Sequence, residues 1–295
     1  MLQQPLSSAR LWPPNGARAR LARRTLNLSD PKLLRAFLDR HELKANKGLG
    51  QHFLCSASVV GAIVDRVRGC QGVFEIGPGP GLLTGPLAEA CPHVLALELD
   101  ERMARPLAES APGVEVVFGD ALQADFRSLL TRLPEPRAVA SNLPYYITAP
   151  LLGKIAEVRD CFDVAVLMMQ REVGDKVRAK PGDRNRGSLS VFLQACFEIE
   201  LVAKVPPGAF LPPPKVESIV LAFRPKHAEY GKALERLVRF GFAQPRKTLA
   251  NNLANGLHRD RSEILQALAS AGLDETIRAH MLAEDEWRRL AQALE

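Results

Sequence analysis

No apolar run in this 295-residue chain approaches the roughly 18 to 20 residues that cross a bilayer, so a soluble protein with no membrane partner is expected. The five cysteines, Cys55, Cys70, Cys91, Cys161 and Cys196, lie far apart, are odd in number and form no C-x-x-C pair. That pattern argues against a zinc or dithiol redox site and fits reduced thiols in a cytoplasmic compartment. The six histidines show no ligand spacing with cysteine or carboxylates, so no metal is expected. No internal repeat or heptad is visible. Acidic residues are missing from residues 1–29, which instead carry Arg10, Arg18, Arg20, Arg23 and Arg24 and show no sustained helical periodicity. A disordered basic leader is expected there. It is open whether it is an RNA-touching arm, an organelle transit peptide or the product of an upstream start codon.

What is present is enough for a folded protein: at 46% hydrophobic residues, the chain can bury one large domain plus a small one. A net charge of +6 points to a polyanionic partner, because Lys and Arg contacts to phosphates supply most non-specific nucleic-acid affinity. The expected organisation is a leader at 1–29, an α/β domain at 30–225 and an all-helical domain at 226–295.

Apolar runs at Val73–Ile76, Val94–Glu98, Val114–Phe118, Ala138–Ala140 and Val164–Met169 read as strands, with two more near 198–205 and 216–223. The first leads straight into Gly77-Pro78-Gly79-Pro80-Gly81 and then a helix, the opening of a Rossmann-like nucleotide site. Pro78 and Pro80 remove two backbone N–H groups that a pyrophosphate would use, which argues against NAD or FAD. S-adenosylmethionine has no phosphate and fits better. Glu98, 21 positions past Gly77, stands where a ribose acceptor is expected. Asp120, just after the third strand, is either an acceptor for an adenine amino group or the N-cap of the next helix.

The fourth strand ends in Ser141-Asn142-Leu143-Pro144-Tyr145-Tyr146. This stretch is either a plain turn or chemistry. An exocyclic amine such as adenine N6 is a poor nucleophile because its lone pair is delocalised into the ring. The Asn142 side-chain oxygen and the Leu143 carbonyl could each accept one N6 hydrogen and leave the lone pair facing an electrophile. Tyr145 would stack on the unstacked base, and Phe210, in a proline-rich loop from Val205 to Lys215, would form the opposite aromatic face.

In order, Gly50-Gln51-His52-Phe53-Leu54, Glu75-Ile76-Gly77-Pro78-Gly79, Glu98, Gly119-Asp120-Ala121, Asn142-Leu143-Pro144-Tyr145, Met169 to Val173, Leu189-Ser190-Val191, Pro206 to Ser218 and Arg246-Lys247-Thr248-Leu249 resemble one family. It is the ribosomal small-subunit RNA adenine N6,N6-dimethyltransferases, and the match covers about residues 44–290. The resemblance implies a Rossmann-like class I methyltransferase sheet with a small all-helical C-terminal domain. It also implies S-adenosylmethionine as methyl donor and two adjacent adenosines near the 3′ end of 16S rRNA, in the small ribosomal subunit or its precursor, as acceptors. By position, His52, Leu54, Gly77, Gly79, Glu98, Asp120 and Asn142 would hold the donor, and Asn142, Leu143, Tyr145 and Phe210 would serve the acceptor. His52 replaces the family's usual asparagine, and Arg186 an aromatic residue. RNA contacts are expected from Lys47, Arg171, Arg184, Arg246 and Lys247, and a monomer is expected. The rival readings are a 23S rRNA adenine methylase of the resistance type and a largely non-catalytic ribosome-assembly or mitochondrial transcription factor.

Overall fold

The computed structural model describes residues 26, 28–45, 51–226 and 231–294. The expected leader lies outside them except for its last positions, and so does Lys47. Leu28, read as part of that leader, is buried with Leu34, Phe37 and Leu38 in one apolar cluster. An apolar residue just ahead of a helix cap shields the first turn. That helix, Pro31–Arg40, starts where Asp30 accepts from Lys32 N at 2.7 Å, with proline in its first turn.

The strands among the described residues are β1 (Phe53–Leu54), β2 (Gly72–Ile76), β3 (His93–Glu98), β4 (Glu115–Phe118), β5 (Arg137–Asn142), β6 (Val164–Gln170), β7 (Phe197–Val205), β8 (Phe210–Leu211) and β9 (Ser218–Pro225). Seven form one sheet in the order β4-β3-β2-β5-β6-β9-β7, in which β4, β3, β2, β5 and β6 are parallel and β9 runs antiparallel to β6. All seven strands expected from apolar runs are in it. The runs are continuous rather than alternating because a parallel sheet is covered on both faces: β2 is buried at every position. The helix Ala57–Val67 shows the complementary pattern, burying Val59, Val60, Ile63, Val64 and Val67 along one stripe.

From β2 the strand order runs outward through β3 and β4, then returns to β5 on the other side. Parallel strands whose order reverses leave a crevice at their carboxyl ends. Here the two ends are tied, because Ser141 Oγ donates to the Ile76 carbonyl at 2.6 Å. β1 and β8 form a separate two-stranded ribbon, with Phe53 opposite Leu211 and Leu54 opposite Phe210.

The described residues divide into two compact units, one drawn from Met1–Arg171 and Glu200–Pro225, the other from Glu172–Ile199 and Lys226–Glu295. The segment Glu172–Ile199, expected inside the 30–225 domain, therefore groups with the helices. The reason lies in its packing: Val191 of the helix Ser188–Cys196 belongs to the apolar cluster built by Leu237, Leu253, Leu268, Trp287 and Leu290. In this second unit a Cβ on Gly241 would meet the Trp287 ring at 2.5 Å, so glycine permits the close approach of the helix Lys232–Gly241 to the buried indole.

Candidate active site

A cleft enclosing about 1000 Å3, counted to its open mouth, lies at the carboxyl ends of β2, β3 and β5. His52, Leu54, Gly77, Gly79, Glu98, Asp120, Asn142, Leu143 and Tyr145 all line it. The cleft belongs wholly to the first unit.

Its floor is the glycine turn. Gly77, Gly79 and Gly81 have φ of +70°, +55° and +91°, a region side chains rarely adopt. A Cβ on Gly77 would project into open space, so the turn keeps that part of the cleft clear. Each glycine N–H is already used: Gly77 donates to the Leu97 carbonyl at 2.9 Å, Gly79 to Glu98 Oε2 at 2.9 Å and Gly81 to the Pro78 carbonyl at 3.1 Å. With Pro78 and Pro80 having no N–H, the turn contains no amide free to bind an anion.

Glu98 is buried, and its second oxygen accepts from Asp100 N at 2.8 Å. Burial pushes its carboxyl pKa up. The N–H bonds from Asp100 and Gly79 oppose this, and the Asp100 charge adds to it. Asp120 is exposed, and its Oδ1 accepts from Leu122 N at 2.8 Å in a local turn. It does not cap the next helix, Phe126–Leu130, which has Asp125 as its cap. The loop after Asp120 is pinned from beneath by Lys154, whose Nζ donates to the carbonyls of Ala121, Leu122 and Ala124 and sits 4.7 Å from the Phe126 ring centre. Burial pushes the Lys154 pKa down.

On the other wall, Asn142 Nδ2 donates to the His52 carbonyl at 3.0 Å. Only the amide nitrogen can donate to a carbonyl, so this bond fixes the side chain's orientation and leaves Oδ1 as the open acceptor. Leu143 N donates to the Met168 carbonyl, which holds the turn to β6. Tyr145 is anchored at both ends: its hydroxyl bonds Ser218 Oγ at 2.7 Å and its ring stacks on His52 at 5.7 Å between centroids. Burial pushes its phenol pKa up, with the Ser218 bond opposing.

Phe210 is the exception. It was expected opposite Tyr145 but is 3% exposed, packs in the core cluster with Val59, Val205 and Ala209, and does not line the cleft. The pairing of β8 with β1 accounts for this, since it sets Phe210 against the buried Leu54. Among the residues expected to meet RNA, Arg171 is paired with Glu217, and Arg184, Arg246 and Lys247 are exposed on the second unit. Arg186 is buried, donating to the Ala179 carbonyl and to Gln194 Oε1, each at 2.6 Å.

Glu75 and Tyr146 also line the cleft, and neither was anticipated as functional. Glu75, on β2, is 1% exposed, and its Oε2 has no hydrogen-bond partner among the described residues. Burial pushes its pKa up to about 8; the nearby Thr84 hydroxyl opposes this and the Glu98 charge adds to it. An acid within an otherwise apolar buried strand is the signal that would have found it. Tyr146, 53% exposed, gave no signal apart from its neighbour. No group of His, Cys, Asp and Glu suited to a metal occurs among the described residues, and no helix there is long and apolar enough to cross a membrane.

A mostly parallel sheet with a reversed strand order, an anion-free glycine turn and a carboxylate at the end of β3 defines a Rossmann-like class I methyltransferase. Comparison then fixes the family. Residues 42–295 match the family described as ribosomal RNA adenine dimethylase, and the chain belongs to it, which makes it an rRNA adenine dimethyltransferase. The Ribosomal RNA small subunit methyltransferase A of Geobacter metallireducens is 40% identical over 264 residues, 85% of this chain and 96% of that protein. That of Bacillus thuringiensis is 36% identical over 284 residues, 91% and 97% of the two chains. A dimethyladenosine transferase from Plasmodium falciparum superposes with a TM-score of 0.69 at 26% identity, covering 81% of this chain and 96% of that one. The 23S rRNA methyltransferase ErmE gives 0.63 at 30%, covering 82% and 99%.

Proposed function

We propose that this protein transfers methyl groups from S-adenosylmethionine to N6 of two adjacent adenosines in the hairpin loop near the 3′ end of 16S rRNA. Each adenosine is methylated twice, within the small ribosomal subunit or its precursor, as a step of ribosome biogenesis carried out in the cytoplasm by a monomer. The observation that carries this reading is the Asn142 amide, held by the His52 carbonyl with its oxygen open to the cleft. The small-subunit substrate is supported by the names of the relatives in Geobacter and Bacillus.

The cleft suits the donor on its own chemistry. The turn offers no anion site, Gly77 leaves space for close approach, and Glu98 stands at the end of β3 as an acceptor for a ribose. Gly77, Gly79, Glu98, Asp120, His52 and Leu54 would hold it. When bound, S-adenosylmethionine supplies a methyl group already activated on a sulfonium.

The rest falls to the chain. Asn142 Oδ1 and the Leu143 carbonyl accept the two N6 hydrogens, which turns the nitrogen lone pair out of the base plane and toward the methyl. Tyr145, fixed through Ser218, stacks on the base and holds the approach in line. The bound donor would supply the methyl and keep the sulfur–carbon electron pair, and the N6 proton, held by Asn142 Oδ1 or the Leu143 carbonyl, would pass to solvent at the open mouth of the cleft. After one transfer a single N6 hydrogen remains, so the second requires rotation about the amine and one acceptor in place of two.

The test is to incubate the protein with labelled donor and unmethylated small subunits, then map the modified nucleotides. Label confined to large subunits would replace this reading with that of a 23S methylase, to which the likeness to ErmE gives weight. Absence of label from both would favour a non-catalytic role in ribosome assembly or in mitochondrial transcription.

A further inference from the structure

Resting on that reading, we infer that Lys154 is a positioning residue for the methyl transfer. Through it, the helix Thr148–Glu157 holds the loop after β4, against which the donor lies, in register with the turn after β5 that receives the target base. The sheet alone does not fix that register. In its order β3 and β2 stand between β4 and β5, so three strand spacings, about 14 Å, separate the loop from the turn and no ladder bond joins them.

The helix grows directly out of the turn. Thr148 Oγ1 lies 3.1 Å from the Pro144 carbonyl oxygen and 3.3 Å from that of Tyr145, and its one hydrogen is shared between them. The first helical turn is thereby tied to the acceptor residues, and Leu151, Leu152 and Ile155 seat the helix in the core. Lys154 stands six residues beyond Thr148, about 9 Å along the axis, and reaches the other wall. An ammonium has three N–H donors and no acceptor. Those of Lys154 meet three carbonyls of one loop, Ala121 and Leu122 at 2.9 Å each and Ala124, and it makes no ion pair among the described residues. The Phe126 ring, 4.7 Å from Nζ, packs edge-on against Phe74 of β2 at 5.3 Å between centroids, so the ammonium is backed by the sheet. Asp120 and Ala121 line the cleft and Lys154 does not, which means that it acts through the loop.

In-line transfer depends on the placement of methyl against nitrogen, and a displacement of about 1 Å costs on the order of 100-fold in rate. Lys154→Met removes the three bonds and keeps the length of the side chain; Lys154→Arg keeps the charge and several donors. We expect the single-turnover rate of Lys154→Met, with donor and RNA substrate both saturating, to fall about 10- to 100-fold below wild type, with Lys154→Arg in between. N6-monomethyladenosine should accumulate in Lys154→Met, because the second transfer holds N6 by one hydrogen bond in place of two. A role in donor affinity alone would vanish at saturation. In wild type, S-adenosylhomocysteine should slow amide exchange at Ala121–Ala124 and also at Ile147 and along the helix Thr148–Glu157; in Lys154→Met it should do so only in the loop.

A wild-type rate for Lys154→Met at saturation, or wild-type protection confined to the loop, would each overturn the inference. The second is read on wild type alone and holds even where the variant does not fold. Rates are taken on whichever ribosomal subunit wild type labels, so label on large subunits alone removes the proposed substrate and still tests Lys154. If neither is labelled, the exchange pattern decides.

Discussion

Replacing Glu75 by glutamine should change how the protein's stability responds to pH more than it changes stability itself. The carboxyl is buried on β2, and its pKa is held at about 8 against an ordinary value of 4.5. The folded state therefore keeps a proton that the unfolded chain gives up. Stability from this group is fully present below pH 4.5, is lost as pH rises towards 8, and is level above that. Across pH 6 to 8 the linkage relation gives a loss of about 2 kcal/mol. At roughly 2–4 °C per kcal/mol, that is about 4–8 °C in Tm. Glutamine is close in shape to the protonated acid and cannot ionise. Taking the difference between the Glu75→Gln variant and wild type at pH 6 as the baseline, the gap should widen in the variant's favour by about 4–8 °C at pH 8. Differential scanning calorimetry of the pair across that range is the assay. Parallel curves would mean that Glu75 is ionised or solvated in the fold, and the reasoning would fail.

The other expectations concern the cleft walls and the helical unit. Asn142→Ala should lower the methylation rate about 100-fold or more while S-adenosylmethionine binding stays within several-fold, measured by single-turnover assay and calorimetry. A variant that works at the wild-type rate would remove the assigned role. Lys154→Met withdraws three hydrogen bonds from the carbonyls of the loop after Asp120, so donor affinity should fall and amide exchange at Ala121–Ala124 should rise. Unchanged exchange would show the loop to be held by other contacts. Gly241→Ala should cost about 1–3 kcal/mol in a denaturant titration, because its Cβ falls 2.5 Å from Trp287; a neutral result would mean that the indole has room to shift.

The sheet was legible because parallel strands buried on both faces write themselves as unbroken apolar runs, and because three glycines after β2 mark the crevice. Most of the cleft followed, since residues at the ends of β2, β3 and β5 share one edge whatever the rest of the chain does. What stayed hidden depends on pairing at long range. The ribbon of β1 and β8 has two residues a side, too few for any periodicity, yet it decides that Phe210 is core rather than cleft. A proline-rich loop reads as surface, and nothing local says that one of its aromatics turns inward. The allegiance of Glu172–Ile199 to the helical unit is hidden in the same way, because the partners of Val191 lie far along the chain. The bond from Asn142 to His52 joins positions 90 apart, so the sequence offered the amide as a candidate without saying which of its atoms faces the substrate.

The glycine turn after β2 also bears on competition inside a cell. ATP shares the adenosine of the donor and is commonly far more abundant. A turn whose three glycine amides are all committed internally offers a triphosphate tail no hydrogen bond. The same proline spacing that shapes the floor of the cleft thus withholds the amides a triphosphate would bind, without any residue devoted to that task.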